Sequence, residues 1–341
     1  MATLATRPST MKAAQWGSSV GGIERNIQVV DVPLPLAPDA TRLPAESTLV
    51  RVAYSSLNPV DYKFPELPFI GGRINHILGS DFAGTVVSTT LPDISPGQRV
   101  FGMTKIPAFG ALAEYAMVHG SQGIAPVPDG VPLRDVAALG VAGLLAYQAI
   151  VPFVREGDKV FVNGGSGGIG HYAVQIAKIL GCSVTATCSG PNLDLVKSLG
   201  ADDVIDYRNT DVVAYLQSQG TQYTVLFDTV STPAIYWSAH HYLKPSGSYN
   251  CIPGDTNFAT VYSMAAMFLL PVCLGGGQRK PKFIARRLDA AHYAELATWV
   301  KEGRLKTAVE HEYELDAAAE AFARLKSGRT RGKLLIRVAE E

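Results

Sequence analysis

The chain has 341 residues, enough for two domains, and 47% of them are hydrophobic, enough to fill sizeable cores. Its 30 Lys and Arg balance 30 Asp and Glu, for a formal net charge of zero. That balance argues against the basic face of a nucleic-acid-binding protein and against an electrostatic hold on an acidic membrane.

The opening Met1–Thr10 is rich in Ser and Thr, with one Arg and no acid. It is short and not clearly amphipathic, and it reads as a flexible extension of a cytoplasmic protein, with a mitochondrial address as the alternative. From Met11 to about Pro128, strand-like runs alternate with Pro and Gly breaks: Lys12–Trp16, Ile27–Val32, Ser47–Ser55, Asp81–Ser88, Gln98–Met103 and Gly110–Val118. Many short strands with few helical periods predict a barrel-like β domain. The text changes at about Val131. Leu133–Val154 is apolar on nearly every face and reads as buried helix.

Strand and helix then alternate. Strands are expected at Lys159–Val162, Ser183–Cys188, Asp203–Asp206 and Val225–Asp228, with helices at Gly170–Leu180, Asn192–Leu199 and Val212–Gln217. This is the rhythm of a doubly wound parallel sheet. A helix Thr232–Leu243 and a strand Gly247–Ile252 follow. Asp255–Ile284 reads as irregular. Within it, the apolar run Ala259–Leu274 is interrupted by Pro271 and is too short for a membrane span. The end offers a helix at Ala290–Lys301, a strand at Thr307–Tyr313, a helix at Ala317–Leu325 and a strand at Lys333–Val338. The four cysteines, Cys182, Cys188, Cys251 and Cys273, form no C-x-x-C pair. They predict buried free thiols in a reducing compartment and no zinc site.

One stretch carries chemistry on its own. Gly165-Ser166-Gly167-Gly168-Ile169-Gly170 fits G-x-G-x-x-G between an apolar strand and an apolar helix. Glycines there let the backbone turn tightly and approach a pyrophosphate, which Ser166–Ile169 would hold at the N-terminus of the helix. NAD-preferring sites place an acid about 20 residues further on. Here Ser189 stands 19 residues after Gly170, and no acid occurs from there through Asn192, although Asp194 is close. Ser189, Asn192 and Tyr207 can donate to a 2′-phosphate, which favours NADP.

Several motifs occur in order around that turn: Asn58-Pro59-Val60-Asp61-Tyr62-Lys63, Gly79-Ser80-Asp81-Phe82-Ala83-Gly84, Pro96-Gly97-Gln98-Arg99-Val100-Phe101-Gly102, Gly110-Ala111-Leu112-Ala113-Glu114-Tyr115, Cys188-Ser189-Gly190-Pro191-Asn192, Ser198-Leu199-Gly200-Ala201-Asp202, Asp228-Thr229-Val230 and Arg331-Gly332-Lys333. Together they resemble the medium-chain dehydrogenase/reductase family, in its zinc-independent quinone-oxidoreductase and trans-acting enoyl-reductase branch. The resemblance implies an α/β protein: a GroES-like β-barrel catalytic domain plus a Rossmann domain with a doubly wound parallel sheet. Residues 11–132 and the returning tail 276–341 would form the first, residues 133–275 the second, with the active site in the cleft.

Zinc-dependent relatives carry a Cys near Leu57–Asn58, Gly-His-Glu where this chain has Gly79-Ser80-Asp81, and often a four-cysteine lobe after about residue 95. None of these ligands is present, and His76 and His119 stand alone, so no metal is expected. The resemblance then implies hydride transfer from NADPH to an enone, an enoyl thioester or a quinone. The charge that collects on the carbonyl oxygen needs a donor. Lys63 is the first candidate, as oxyanion donor or ribose contact, and Tyr62 the second, as donor or proton source. Asn58 and Asp61 share their loop beside the nicotinamide ribose, and Asp61 also suits the cap of its own turn.

Gly190, Pro191, Val230, Ile252, Pro253, Gly332 and Lys333 complete the implied cofactor contacts. Many quinone reductases have Lys where Asn192 stands, so the phosphate would lack a charged partner. Val141, Leu144 and Leu145 match the segment lining nicotinamide and substrate, with Leu145 where relatives often have Thr. Met267 and Phe268, with Met264 and Leu269, suit either an acyl pocket or packing. The substrate would be free or carrier-bound, the latter with a polyketide synthase as partner, and the enzyme a homodimer or a monomer. An NADPH-binding scaffold or sensor without turnover is the non-enzymatic alternative.

Overall fold

The computed structural model describes residues 8–36, 42–67, 76–252, 258–274 and 276–341, apart from the side chains of 258–261. The chain forms two compact units. One runs up to Leu144 and resumes with Arg287–Glu341, and the other is Leu145–Arg286. No helix among the described residues is long and apolar enough to cross a membrane.

The first unit opens with β1 (Thr10–Trp16), β2 (Ile27–Pro33), β3 (Ser47–Ser56), the one-turn helix α1 (Pro59–Lys63), β4 (Asp81–Thr89), β5 (Arg99–Met103), β6 (Tyr115–His119), β7 (Ile124–Pro126) and α2 (Leu133–Val136). β3 is its hub. One edge pairs with β4 from Thr48↔Thr89 to Ser56↔Asp81. The other edge is divided, with Ser47–Arg51 pairing with β6 and Tyr54–Ser56 with the last strand of the chain. Paired on both edges, β3 is buried at eight of its ten residues, so the in–out alternation of a half-exposed strand is lost. One core gathers Trp16, Ile23, Leu57, Leu78, Phe322 and Ile336, and a second gathers Val50, Val52, Phe82, Val86 and Val100.

The second unit comprises α3 (Leu144–Ile150, whose first residue marks the boundary), β8 (Lys159–Asn163), α4 (Gly170–Ile179), β9 (Ser183–Cys188), α5 (Leu193–Ser198), β10 (Asp203–Asp206), α6 (Val212–Ser218), β11 (Tyr223–Asp228), α7 (Pro233–Trp237), β12 (Leu243–Cys251), α8 (Phe258–Leu269) and β13 (Pro281–Phe283). Its strands are all parallel, in the order β10-β9-β8-β11-β12-β13. This is the Rossmann order, which reverses between β8 and β11. Asp206 pairs with Cys188, and Asp228 with both Asn163 and Cys251, so the first five strands in that order finish at one rim. After Arg286 the chain adds α9 (Ala290–Lys301), β14 (Val309–Glu314), α10 (Ala318–Lys326) and β15 (Lys333–Arg337) to the first unit. β15 lies between β14 and β3.

Five local expectations change. The stretch 133–154 is not one helix. It breaks into α2, a wide π-helical turn at Leu139–Gly143, α3 and a 3₁₀ turn at Val151–Phe153. The π turn lets the backbone approach β5, since a Cβ on Gly140 would stand 2.4 Å from the Gly102 carbonyl oxygen. This ties residues up to Leu144 to the first unit, although the sequence places them with the dinucleotide-binding domain.

Within Gly110–Val118, Ala113 makes an isolated antiparallel bridge to Ala13, and the continuous strand begins only at Tyr115. The expected helix Thr232–Leu243 ends its α turn at Trp237, because Leu243 opens β12. The segment expected to be irregular contains α8, ended by Pro271, and the edge strand β13. Cys182, Cys188 and Cys251 are buried as expected, but Cys273, in the turn after Pro271, is exposed.

Candidate active site

The glycine turn follows β8 at the rim of the parallel sheet. A Cβ on Gly170 would lie 2.0 Å from the Gly164 carbonyl oxygen, and one on Gly165 would lie 2.9 Å from the Ala186 methyl. Only glycine fits those two positions. The turn is anchored from behind: Gly164 N–H donates to Thr187 Oγ1 at 2.9 Å, and Gly165 N–H to the Thr187 carbonyl at 2.8 Å. The N–H groups of Ser166, Gly168 and Ile169 have no partner among the described residues. A bare backbone cradle at the start of the ten-residue helix α4 fits a pyrophosphate.

Ser166, Ser189 and Asn192 come together beside this cradle. Asn192 Nδ2 donates to Ser166 Oγ at 3.3 Å and to Ser189 Oγ at 3.2 Å, and its Oδ1 is buried without a partner. The Tyr207 backbone donates to the carbonyl of Cys188, the residue before Ser189, at 3.1 Å, while its side chain is exposed and, among the described residues, makes no hydrogen bond with those three. Gly190 and Pro191 form the short 3₁₀ turn between Ser189 and α5. One residue the sequence scan passed over stands here as well. Asp206 ends β10 directly beside Gly190, and it accepts from Arg208 N–H at 3.0 Å and Asn209 Nδ2 at 2.7 Å. Parallel pairing across two strands brings it in, a relationship that a window along one strand does not register.

The ends of β8 and β11 are joined by a second feature missed in the sequence. The buried Asp228 carboxylate accepts five hydrogen bonds. Asn163 Nδ2 (2.8 Å), Val230 N–H (3.0 Å) and Ser231 N–H (2.8 Å) reach Oδ1, and Thr232 N–H (2.7 Å) and the Tyr249 hydroxyl (2.7 Å) reach Oδ2. Burial and the Asp228 charge hold the Tyr249 hydroxyl well above its usual pKa. Asn163 Oδ1 in turn accepts from Thr187 Oγ1 at 2.7 Å, so this network extends to the glycine turn. Val230 is left exposed at the rim, and Ile252 is buried, its carbonyl accepting from Ser231 Oγ at 2.6 Å. Pro253 lies outside the described residues.

In the first unit, Asn58, Asp61 and Lys333 are placed inward rather than at a surface. Their side chains are only 3%, 0% and 2% exposed. Lys333 Nζ donates to Asn58 Oδ1 at 2.6 Å and to the Leu57 carbonyl at 3.0 Å, 3.6 Å from Asp81 Oδ2. Asp81 Oδ2 also accepts from Asn58 Nδ2 (2.9 Å) and Ser56 Oγ (2.6 Å), and its Oδ1 from Val141 N–H (2.8 Å). Asp61 accepts from Asn58 N–H and Ser80 Oγ, both at 2.8 Å, the first being the cap of its own helix. Burial, then the Asp81 charge, push the Asp61 carboxyl up to about 7, against the pull of Ser80, Asn58 and Lys333. Burial lowers the Lys333 ammonium, which Asp81 and Asp61 counteract.

This donor set does not suit zinc. The carboxylates are committed to hydrogen bonds, an ammonium stands among them, and no His, Cys, Asp or Glu trio able to hold a metal occurs among the described residues.

Lys63 and Tyr62 remain half-buried on α1. The Tyr62 ring packs on the core beneath α10, with Lys326 Nζ 5.5 Å from its centroid. Gly332 is a packing glycine, since a Cβ there would meet the Ala308 carbonyl at 2.0 Å. Val141, Leu144 and Leu145 are buried. Met267 is buried in the core of the second unit, and Phe268 beside it is exposed, so those two do not share a lining.

Comparison with known proteins agrees with both halves. Residues 44–129 match the family model described as the alcohol dehydrogenase GroES-like domain, and residues 199–336 the one described as zinc-binding dehydrogenase. The trans-enoyl reductase pgmF of Aspergillus terreus is 38% identical over 98% of both chains. A chloroplastic quinone-oxidoreductase homolog of Spinacia oleracea is 31% identical, covering 96% of this chain and 98% of its own. The quinone oxidoreductase from Coxiella burnetii superposes with a TM-score of 0.80 at 27% identity, over 97% of this chain and all of that one.

Proposed function

The chain belongs to the medium-chain dehydrogenase/reductase family, in its quinone-oxidoreductase and trans-enoyl-reductase branch, and on that premise we propose that it is an NADPH-dependent, zinc-independent reductase of activated C=C bonds or quinones. The observation that carries this reading is the backbone cradle Ser166–Ile169, beside which Ser166, Ser189 and Asn192 meet as a cluster of neutral donors. A nicotinamide dinucleotide fits there, and when bound it supplies a hydride to the electron-poor carbon of the acceptor.

The chain's own residues do the rest. The cradle would fix the pyrophosphate, and Ser189, Asn192 and Tyr207 would hydrogen-bond a 2′-phosphate. Lys63 would donate to the carbonyl oxygen on which negative charge collects. The packing of Tyr62 against the core gives it the lesser part. Asp81, Asn58 and Lys333 satisfy one another, so the reading assigns polarisation of the acceptor to hydrogen bonding and not to a metal.

The test mixes purified protein with NADPH and a panel of enones, enoyl thioesters and quinones, and follows the nicotinamide absorbance. Consumption with at least one class is expected, and none with any would overturn the reading. The likeness to a trans-enoyl reductase over nearly all of both chains favours a sharper version, in which the substrate is an enoyl chain on the acyl carrier of a polyketide synthase. Under that version a carrier-bound enoyl thioester turns over far faster than the free thioester, and equal rates would remove it.

A further inference from the structure

We infer that Lys333 is a positioning residue, which sets the loop Asn58–Lys63 through the side chain of Asn58. This rests on the proposed function only for its kinetic arm.

β15 runs antiparallel to β3, and Leu57 N–H donates to the Leu334 carbonyl at 3.1 Å, so Lys333 sits where β3 gives way to the loop. An ammonium can only donate and a carboxylate can only accept. Asn58 has the Lys333 ammonium on its Oδ1 and the Asp81 carboxylate on its Nδ2. The amide can therefore take one orientation only. With the amide fixed, Asn58 N–H is presented to Asp61 Oδ2, which caps α1 and sets the direction in which Tyr62 and Lys63 leave the loop. The other oxygen of Asp81 holds Val141 N–H, so the loop and the Leu139–Gly143 turn hang from the same buried ion pair.

A residue needed only to fill space here would be apolar, as Leu334, Leu335 and Ile336 beside it on β15 are. Replacing a buried ion pair by apolar groups is often neutral or stabilising, so the pair is assigned to specifying geometry and not to stability.

Lys333→Met alone leaves two buried carboxylates without a cation and is expected to unfold readily. The test therefore uses Lys333→Met/Asp81→Asn, which removes both charges, and Asn58→Ala, which leaves the ion pair intact. Three quantities are read in each folded variant: amide hydrogen exchange of the peptide spanning residues 57–64, NADPH Kd by fluorescence titration, and kcat and KM with the best acceptor. Both variants are expected to exchange at least tenfold faster in that peptide and to lose at least tenfold in kcat, with Kd and KM within about twofold of the parent.

Parent-like exchange and kcat in Asn58→Ala would overturn the inference, whether or not the double variant folds. So would a tenfold weaker Kd at unchanged kcat in the double variant, which would make Lys333 a direct cofactor contact. If the parent turns over no acceptor, the proposed function fails, and the exchange measurement still decides the role of Lys333.

Discussion

The carboxylate of Asp206 lies against Gly190, where an added Cβ would stand 2.9 Å from Asp206 Oδ2. That places a negative charge at the edge of the Ser166–Ser189–Asn192 cluster, where a 2′-phosphate would bring another. Like charges about 4 Å apart and fully exposed to water repel by about 1 kcal/mol, or roughly fivefold in affinity. Asp206→Asn keeps an oxygen for Arg208 N–H and removes the charge. It is expected to tighten NADPH binding about threefold to tenfold and to leave NADH within twofold, by fluorescence titration at low salt. Ser189→Asp should do the reverse. If neither substitution moves the NADPH-to-NADH ratio, the phosphate is not held at this corner.

Much of the second unit was legible in the sequence, because each β–α step there is a short apolar run followed by an amphipathic one. Ser183–Cys188 and Asp203–Asp206 fall on their expected bounds, as does Ala290–Lys301 in the first unit. Periodicity failed where tertiary contact overrides it. Leu133–Val154 is apolar all round, and that pattern does not tell a continuous helix from one broken by a π turn over Gly102. In the candidate site, the glycine turn and Ser189–Asn192 were readable because they are contiguous. Asp206, Asp228 and the Asp81–Lys333 pair were not, because the contacts that tie them to the site, Gly190, Asn163 and each other, span 16, 65 and 252 residues and are made through sheet register.

Asp228 is the acceptor at the meeting point of β8, β11 and α7. Asparagine there would turn an NH₂ toward donors that now meet an oxygen, leaving two of them without an acceptor. Each buried unsatisfied donor costs about 1–3 kcal/mol. Asp228→Asn is therefore expected to lose about 2–4 kcal/mol in urea unfolding, and to weaken nucleotide binding through the Asn163–Thr187–Gly164 chain. A loss under about 1 kcal/mol would mean that the network relaxes without cost.

The pH dependence of stability has a defined sign at Asp61. Its carboxyl titrates near 3.8 when unfolded and at about 7 when folded. Between those values the folded state binds more protons than the unfolded state, so stability falls as pH rises from about 4 to about 7 and then levels off. Asp61→Asn should remove this component. Urea unfolding at pH 5 and at pH 7.5 is expected to show the parent losing on the order of 1–3 kcal/mol more over that interval than the variant does. Equal losses would mean that Ser80, Asn58 and Lys333 hold the carboxylate ionised throughout.

Tyr62 and Lys63 are neighbours on α1 with different surroundings. The Tyr62 ring belongs to the core that includes Phe322 and Leu57. The Lys326 ammonium over it is held by Glu24 at 2.6 Å and Glu66 at 2.5 Å, so α10 is fixed against this ring. Removing the Tyr62 hydroxyl leaves that packing in place, and Tyr62→Phe is expected to keep kcat within about threefold. Lys63→Met removes the group assigned to the charged carbonyl oxygen. Loss of one such donor typically costs about 100-fold or more in a dry site, and a half-buried position reduces this to roughly 10- to 100-fold in kcat. NADPH Kd should stay within about threefold, which separates oxyanion donation from a ribose contact. A larger kcat loss in Tyr62→Phe than in Lys63→Met would reverse the two assignments, and a tenfold weaker Kd in Lys63→Met would move Lys63 to the cofactor.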